Sequence, residues 1–169
     1  MSKIYFFNGW AMDQNLLSPL KNSTEYEIKV INFPYNIDKT SINKEDIFIA
    51  YSFGVYYLNK FLSENQDLVY EKAIGINGLP ETIGKFGINE KMFNMTLETL
   101  DKENLEKFLL NIDIDESFGR SDKTLEESKY ELQYFKDNYK AIPNYINFYY
   151  IGKNDRIIPA NKVEKYCQN

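Results

Sequence analysis

Short apolar runs alternate with amphipathic stretches along this chain. Residues 4–7 are continuously apolar and end at Asn8-Gly9. A short apolar run closed by a turn reads as a buried strand. The pattern recurs at residues 28–33, stopped by Pro34, at 47–51, and at 73–76, ended by Asn77-Gly78-Leu79-Pro80. Asp13 is placed to cap a helix through residue 21, with Leu16, Leu17 and Leu20 on one face. Residues 36–46 are polar and read as a loop. Residues 55–62 carry Val55, Leu58, Phe61 and Leu62 at helical spacing.

The middle of the chain changes character. From 81 to 141 the pattern is helical and charged, with no convincing strand. Helices are expected from residue 96 or 99 to 110 and over 121–139. Strand character returns at 145–151, and 161–167 fits one or two helical turns. Strands alternating with helices, apolar on both faces, predict a parallel sheet covered on both sides. A helical insertion before the last visible strand is a lid pattern. The expected organisation is one core split into 1–80 and 142–169 by a lid at 81–141.

Composition narrows the chemistry. The 169 residues are 43% hydrophobic and 27% charged, close to the globular average, so wholesale disorder is excluded. The 16% aromatic content is high. A net charge of −5 argues against a nucleic-acid partner. No apolar stretch is long enough for a signal segment or a membrane span, and cytoplasmic residence is the default expectation. The single Cys, Cys167, excludes an internal disulfide and reads as a packing residue. There is no His, which excludes histidine metal ligands and any catalysis by an imidazole of these residues.

Three segments carry candidate chemistry. Ala50-Tyr51-Ser52-Phe53-Gly54 lies between an apolar strand and an amphipathic helix. This is the context of a nucleophile elbow, G-x-S-x-G, whose tight turn needs small residues two before and two after the Ser. Ala50 replaces the first Gly, and Ser52 becomes the candidate nucleophile; the alternative is a Ser that merely caps a helix. Phe7-Asn8-Gly9-Trp10 follows the first strand, where a turn can offer a backbone N–H to a developing oxyanion. The N–H groups of Trp10 and Phe53 would form that pair, unless the segment is only a strand-ending turn. Asp155, after Ile151-Gly152-Lys153-Asn154, stands where a hydrolase keeps its acid, in the order Ser then acid; a surface turn is the alternative.

Together Gly9-Trp10, the Ser52 elbow and Gly152 to Asp155 resemble a small α/β-hydrolase. More narrowly, Phe7 to Asp13, Ala50 to Val55 and Ile76 to Pro80 resemble the BioG-type pimeloyl-carrier-protein methyl ester esterases. Phe86-Gly87-Ile88 with Phe93, and Thr96 to Leu100, are similar to that family's cap entrance. The resemblance implies an α/β fold: an α/β-hydrolase-like three-layer sandwich with a mostly parallel sheet and a helical lid. It implies a serine esterase, with no cofactor, that demethylates a pimeloyl ester carried on acyl carrier protein during biotin synthesis. Ser52 would be the nucleophile, Asp155 would orient the base, and Trp10 and Phe53 would give the oxyanion hole.

The absence of His departs from that pattern. The chain reads as cut short after the helix that leads into the family's final strand, where the base would lie. An impaired esterase is expected, and the alternative is a noncatalytic remnant that binds an acyl ligand or a partner. Without a general base, Ser attack loses about 10²–10⁴-fold.

Arg120, Lys123 and Lys129 on the lid could dock an acidic carrier protein through local positive charge, against the plainer reading of a solvated face. Tyr134-Phe135 and the aromatics of 147–150 are expected to pack the lid and core, not to stack on bases. Asp113, Asp115, Glu116 and Asp122 lack the spacing of a calcium loop and read as a solvated helix end. No metal site is expected.

Overall fold

The structure, a computed structural model, describes residues 2–20, 25–114 and 118–168. Strands β1 (Lys3–Phe7), β2 (Glu27–Ile31), β3 (Ile47–Tyr51), β4 (Lys72–Ile76) and β5 (Phe148–Tyr150) form one sheet in the order β2-β1-β3-β4-β5. Every neighbouring pair is parallel. Strand order changes direction beside β1 and β3, so the ends of these two strands define a crevice of the kind where open α/β sheets bind ligands.

Helix α1 (Gly54–Glu64) packs on one sheet face, against Tyr5, Phe7, Phe48, Ala50 and Ala73. Helix α5 (Ala160–Cys167) meets the same face, through Tyr166 on Tyr149. Alternate strand residues point to the opposite face. There Phe6 is buried, Ile4, Ile47, Ile49, Ile74 and Ile76 are half-buried, and Phe148 and Tyr150 at the β5 edge are 54% and 64% exposed.

Helices α2 (Glu90–Thr99), α3 (Lys102–Asn111) and α4 (Leu125–Asn138) fill most of residues 81–141. Their apolar sides close over Trp10, Phe53 and Tyr56 with Phe93, Leu100, Leu132 and Phe135. Tyr134 and Phe135 thus belong to aromatic packing, Tyr134 on Phe33 and Phe135 on Phe53.

Several boundaries differ from the sequence expectations, each for a local reason. The segment after Asp13 is a 3-10 helix over Gln14–Leu20 with no buried residue, since Pro19 cannot donate to an α-helical ladder. The stretch expected to be one helix up to 110 is two helices. Leu100 is extended, and Asp101 starts α3 by accepting the N–H of Asn104. A capping box between Thr124 and Glu127 starts α4 later than residue 121. Strand β5 is shorter than expected because Tyr145 N–H is taken by the Asn59 side chain. A short 3-10 turn, Lys39–Ser41, interrupts the polar loop.

Candidate active site

Ser52 follows β3 directly and has φ +53°, a left-handed conformation that a non-glycine residue adopts only when its surroundings impose it. The Ser52 N–H donates to Ile76 O at 3.0 Å, and Ser52 O accepts Val55 N–H at 3.0 Å. Two glycines make room for this turn. A Cβ on Gly54 would lie 2.2 Å from Phe7 O, and one on Gly78 would lie 2.4 Å from Ser52 O. The spacing Ser52-x-Gly54 is thus set by close approach of α1 to the end of β1. Ala50, in place of the usual first glycine, is fully buried.

Ser52 lines two adjoining cavities. One, of about 210 Å³, is polar and includes Asn77, Asp113, Lys153, Asp155 and Arg156. The other, of about 330 Å³, is largely apolar and includes Trp10, Phe53, Met92, Phe93, Phe108 and Leu132. The sequence motifs at Trp10, Ser52, Phe53 and Asp155 therefore converge at the carboxyl ends of β1, β3 and β5.

Asp155 is half-buried, and its Oδ1 accepts the N–H groups of Ile157 and Ile158 at 2.8 and 3.0 Å. Among the described residues no hydrogen bond joins Asp155 to Ser52. Burial, then the negative charges of Asp155 and Asp113, push the Tyr51 hydroxyl up to about 12. The Tyr51 phenol is thus held in its protonated form at neutral pH.

Among the described residues, neither the Trp10 nor the Phe53 backbone N–H donates to a protein acceptor, although both side chains are buried. Neighbouring donors are occupied: Gly9 N–H by Asn8 Oδ1 and Ala11 N–H by Glu131 Oε2. A buried N–H left open beside a hydroxyl is a ready donor for an anionic oxygen.

The three cations singled out in the sequence differ from one another. Arg120 forms a two-pronged pair with Glu106, at 3.0 and 2.8 Å. The Lys123 ammonium lies 2.8 Å from Glu131, with a side chain only 17% exposed. Lys129 is exposed. In the acidic cluster, Asp122 holds Asn15, whereas Asp115 and Glu116 lie outside the described residues. Among the described residues no group of His, Cys, Asp or Glu is placed to hold a metal ion. Cys167 is exposed at the end of α5. Among the described residues no helix is long and apolar enough to cross a membrane.

Glu131 is the functional-site neighbour that motif reading misses. It is 1% exposed, on the α4 stripe formed by Ser128, Glu131, Leu132 and Phe135. A carboxylate on an apolar helical stripe was a visible signal, because such a group is buried only with partners.

No protein-family model and no curated protein matches the chain. Its fold is similar to the crystal structure of BioG from Haemophilus influenzae. The TM-score is 0.82 at 20% identity, covering 99% of this chain and 83% of that one. At that identity the likeness establishes a shared α/β fold, a parallel sheet with helices consistent with the α/β-hydrolase type.

Proposed function

We propose that the chain is built as a serine esterase of the biotin-synthesis type, for a pimeloyl methyl ester carried on acyl carrier protein. The observation that carries this reading is the strained Ser52, which lines one cavity with Asp155 and another with Trp10 and Phe53, whose backbone N–H groups have no protein acceptor among the described residues. The fold likeness to BioG supports it. In this reading Ser52 Oγ attacks the ester carbonyl carbon while a base takes its proton. The N–H groups of Trp10 and Phe53 stabilise the oxyanion. The carbonyl re-forms as methanol leaves with a proton, and water then hydrolyses the acyl-enzyme to a free carboxylate. The apolar cavity receives the acyl chain, α2 to α4 act as its lid, and Asp155 orients the base. The carrier docks near Arg120, Lys123 and Lys129, and the reaction takes place in the cytoplasm without a cofactor.

The base is the missing part. With no imidazole among these 169 residues, turnover is negligible, and acyl binding without catalysis is the second reading. Added imidazole tests both. Occupying the gap beside Asp155, it should raise hydrolysis of p-nitrophenyl butyrate at least tenfold, with no such gain in Ser52→Ala. A fluorophosphonate should label Ser52 alone. Imidazole rescue that survives Ser52→Ala, or a folded chain that resists the label, would count against the esterase reading. Robust Ser52-dependent turnover without imidazole would reveal another base.

A further inference from the structure

Glu131 is a buried carboxylate whose contacts lead directly to the Ser52 site. Its Oε2 accepts the Ala11 N–H at 3.3 Å and the Lys123 ammonium at 2.8 Å. The Tyr35 hydroxyl, which donates to Asn8 O at 2.8 Å, also reaches Oε1 at 3.5 Å. One helical turn earlier, Ser128 O accepts the indole N–H of Trp10 at 2.8 Å. Residues three apart lie on one helix face, so α4 grips two consecutive residues of the β1 loop from a single face.

The grip falls at a strained point. Ala11 has φ +61°, a left-handed geometry that a non-glycine residue holds only when its surroundings impose it. The indole of Trp10 is fixed on one side of its Cα, and the peptide N–H that follows is fixed on the other. Little freedom remains to turn the Trp10 backbone N–H, which has no protein acceptor. Packing alone does not account for a carboxylate here. An apolar side chain would join Leu132 and Phe135 without desolvating a charge.

We propose that Glu131 is a positioning residue: by holding Ala11 N–H it aims the Trp10 N–H at the oxyanion that forms on Ser52. This inference rests on the esterase reading of Ser52. Lys123 supplies the compensating charge, and the reach of the Glu side chain sets the position of the acceptor.

The test separates reach from charge. Glu131→Gln keeps the length and an acceptor oxygen but loses the charge. Glu131→Asp keeps the charge and withdraws the acceptor by one methylene. In imidazole-assisted hydrolysis of p-nitrophenyl butyrate, Glu131→Asp should lower kcat by roughly 10²-fold, the loss typical of one oxyanion donor, with KM within about twofold. Glu131→Gln should stay within about fivefold of the parent. A second readout does not depend on turnover. The chain has one Trp, so [15N]Trp labelling gives a single backbone amide signal. That signal should shift and exchange faster with solvent in Glu131→Asp and hold in Glu131→Gln. On adding butaneboronic acid, a tetrahedral serine adduct should move it in the parent and in Glu131→Gln only. If both variants keep the parent's free-state amide signal and exchange rate, or if both lose them alike, the positioning role is overturned. If the free-state signal responds as expected but neither imidazole turnover nor a boronate shift occurs in the parent, the Ser52 reading fails while the Glu131 geometry stands.

Discussion

The side-chain oxygen of Asn77 accepts the Gly152 N–H at 2.7 Å, joining positions 75 residues apart. Asn77 also donates its own N–H to Tyr150 O at 3.1 Å. It thereby extends the β4–β5 pairing past its end and ties the Asp155 loop to the segment that accepts Ser52 N–H. Asn77→Ala should cost about 1 kcal/mol, a fall in Tm of about 2–4 °C. It should also slow Ser52 labelling, because the Asp155 loop loses its anchor. An unchanged Tm in a thermal melt would contradict this linkage.

Gly54 and Gly152 should respond very differently to a methyl group. At Gly54 the added Cβ meets two backbone oxygens, of Phe7 and Asn8, at 2.2 and 2.6 Å. At Gly152 the nearest atoms belong to the Asn77 side chain, at 3.4 Å. Gly54→Ala should destabilise the chain by at least about 3 kcal/mol or prevent folding, since backbone cannot give way. Gly152→Ala should stay within about 1 kcal/mol of the parent. Urea unfolding of the pair measures the contrast, and equal costs would refute the close packing of α1 on β1.

Burial pushes the Glu131 carboxyl above the usual carboxylate range, while Lys123, the Ala11 N–H and the Tyr35 hydroxyl pull it back. A raised carboxylate favours its protonated form in the folded state. Its contribution to stability is full below the ordinary carboxylate pKa and is lost as pH rises through the raised value. Lys123→Met removes the charge that offsets this loss. The variant should cost about 2 kcal/mol at pH 8, and less at pH 5 as Glu131 takes up a proton. Urea denaturation at the two pH values gives the answer; a cost independent of pH would mean that Glu131 does not titrate in this interval.

Carrier docking is best tested with Lys129→Glu, because Arg120 is paired with Glu106 and the Lys123 ammonium with Glu131. This variant should weaken binding of an acidic acyl carrier protein severalfold at low salt, with the effect shrinking as ionic strength rises. The ratio of carrier-linked to free ester turnover, with imidazole present, should fall in parallel. Equal losses on both substrates would place the effect in the fold and remove the docking role.

The sequence by itself determined the strands, their parallel pairing and the turn at Ser52. Apolar runs such as 47–51 can only be buried, and Ser52-x-Gly54 encodes close approach through the absence of a side chain. It also determined that no imidazole is present. Local signals such as Pro19, Asp101 and the Thr124–Glu127 box explain the shifted helix bounds after the fact, because periodicity fixes an element's existence better than its ends. The tertiary structure alone decided which residues meet. Trp10, Ser52 and Asp155 lie far apart in the chain and converge only because parallel strands deliver their carboxyl ends to one edge. Lys123 looked like a free cation in sequence, yet α4 brings Glu131 within 2.8 Å of it. The exposure of Phe148 and Tyr150 at the β5 edge was equally hidden. Alternation marks two sides of a sheet, but only packing tells which side the helices cover.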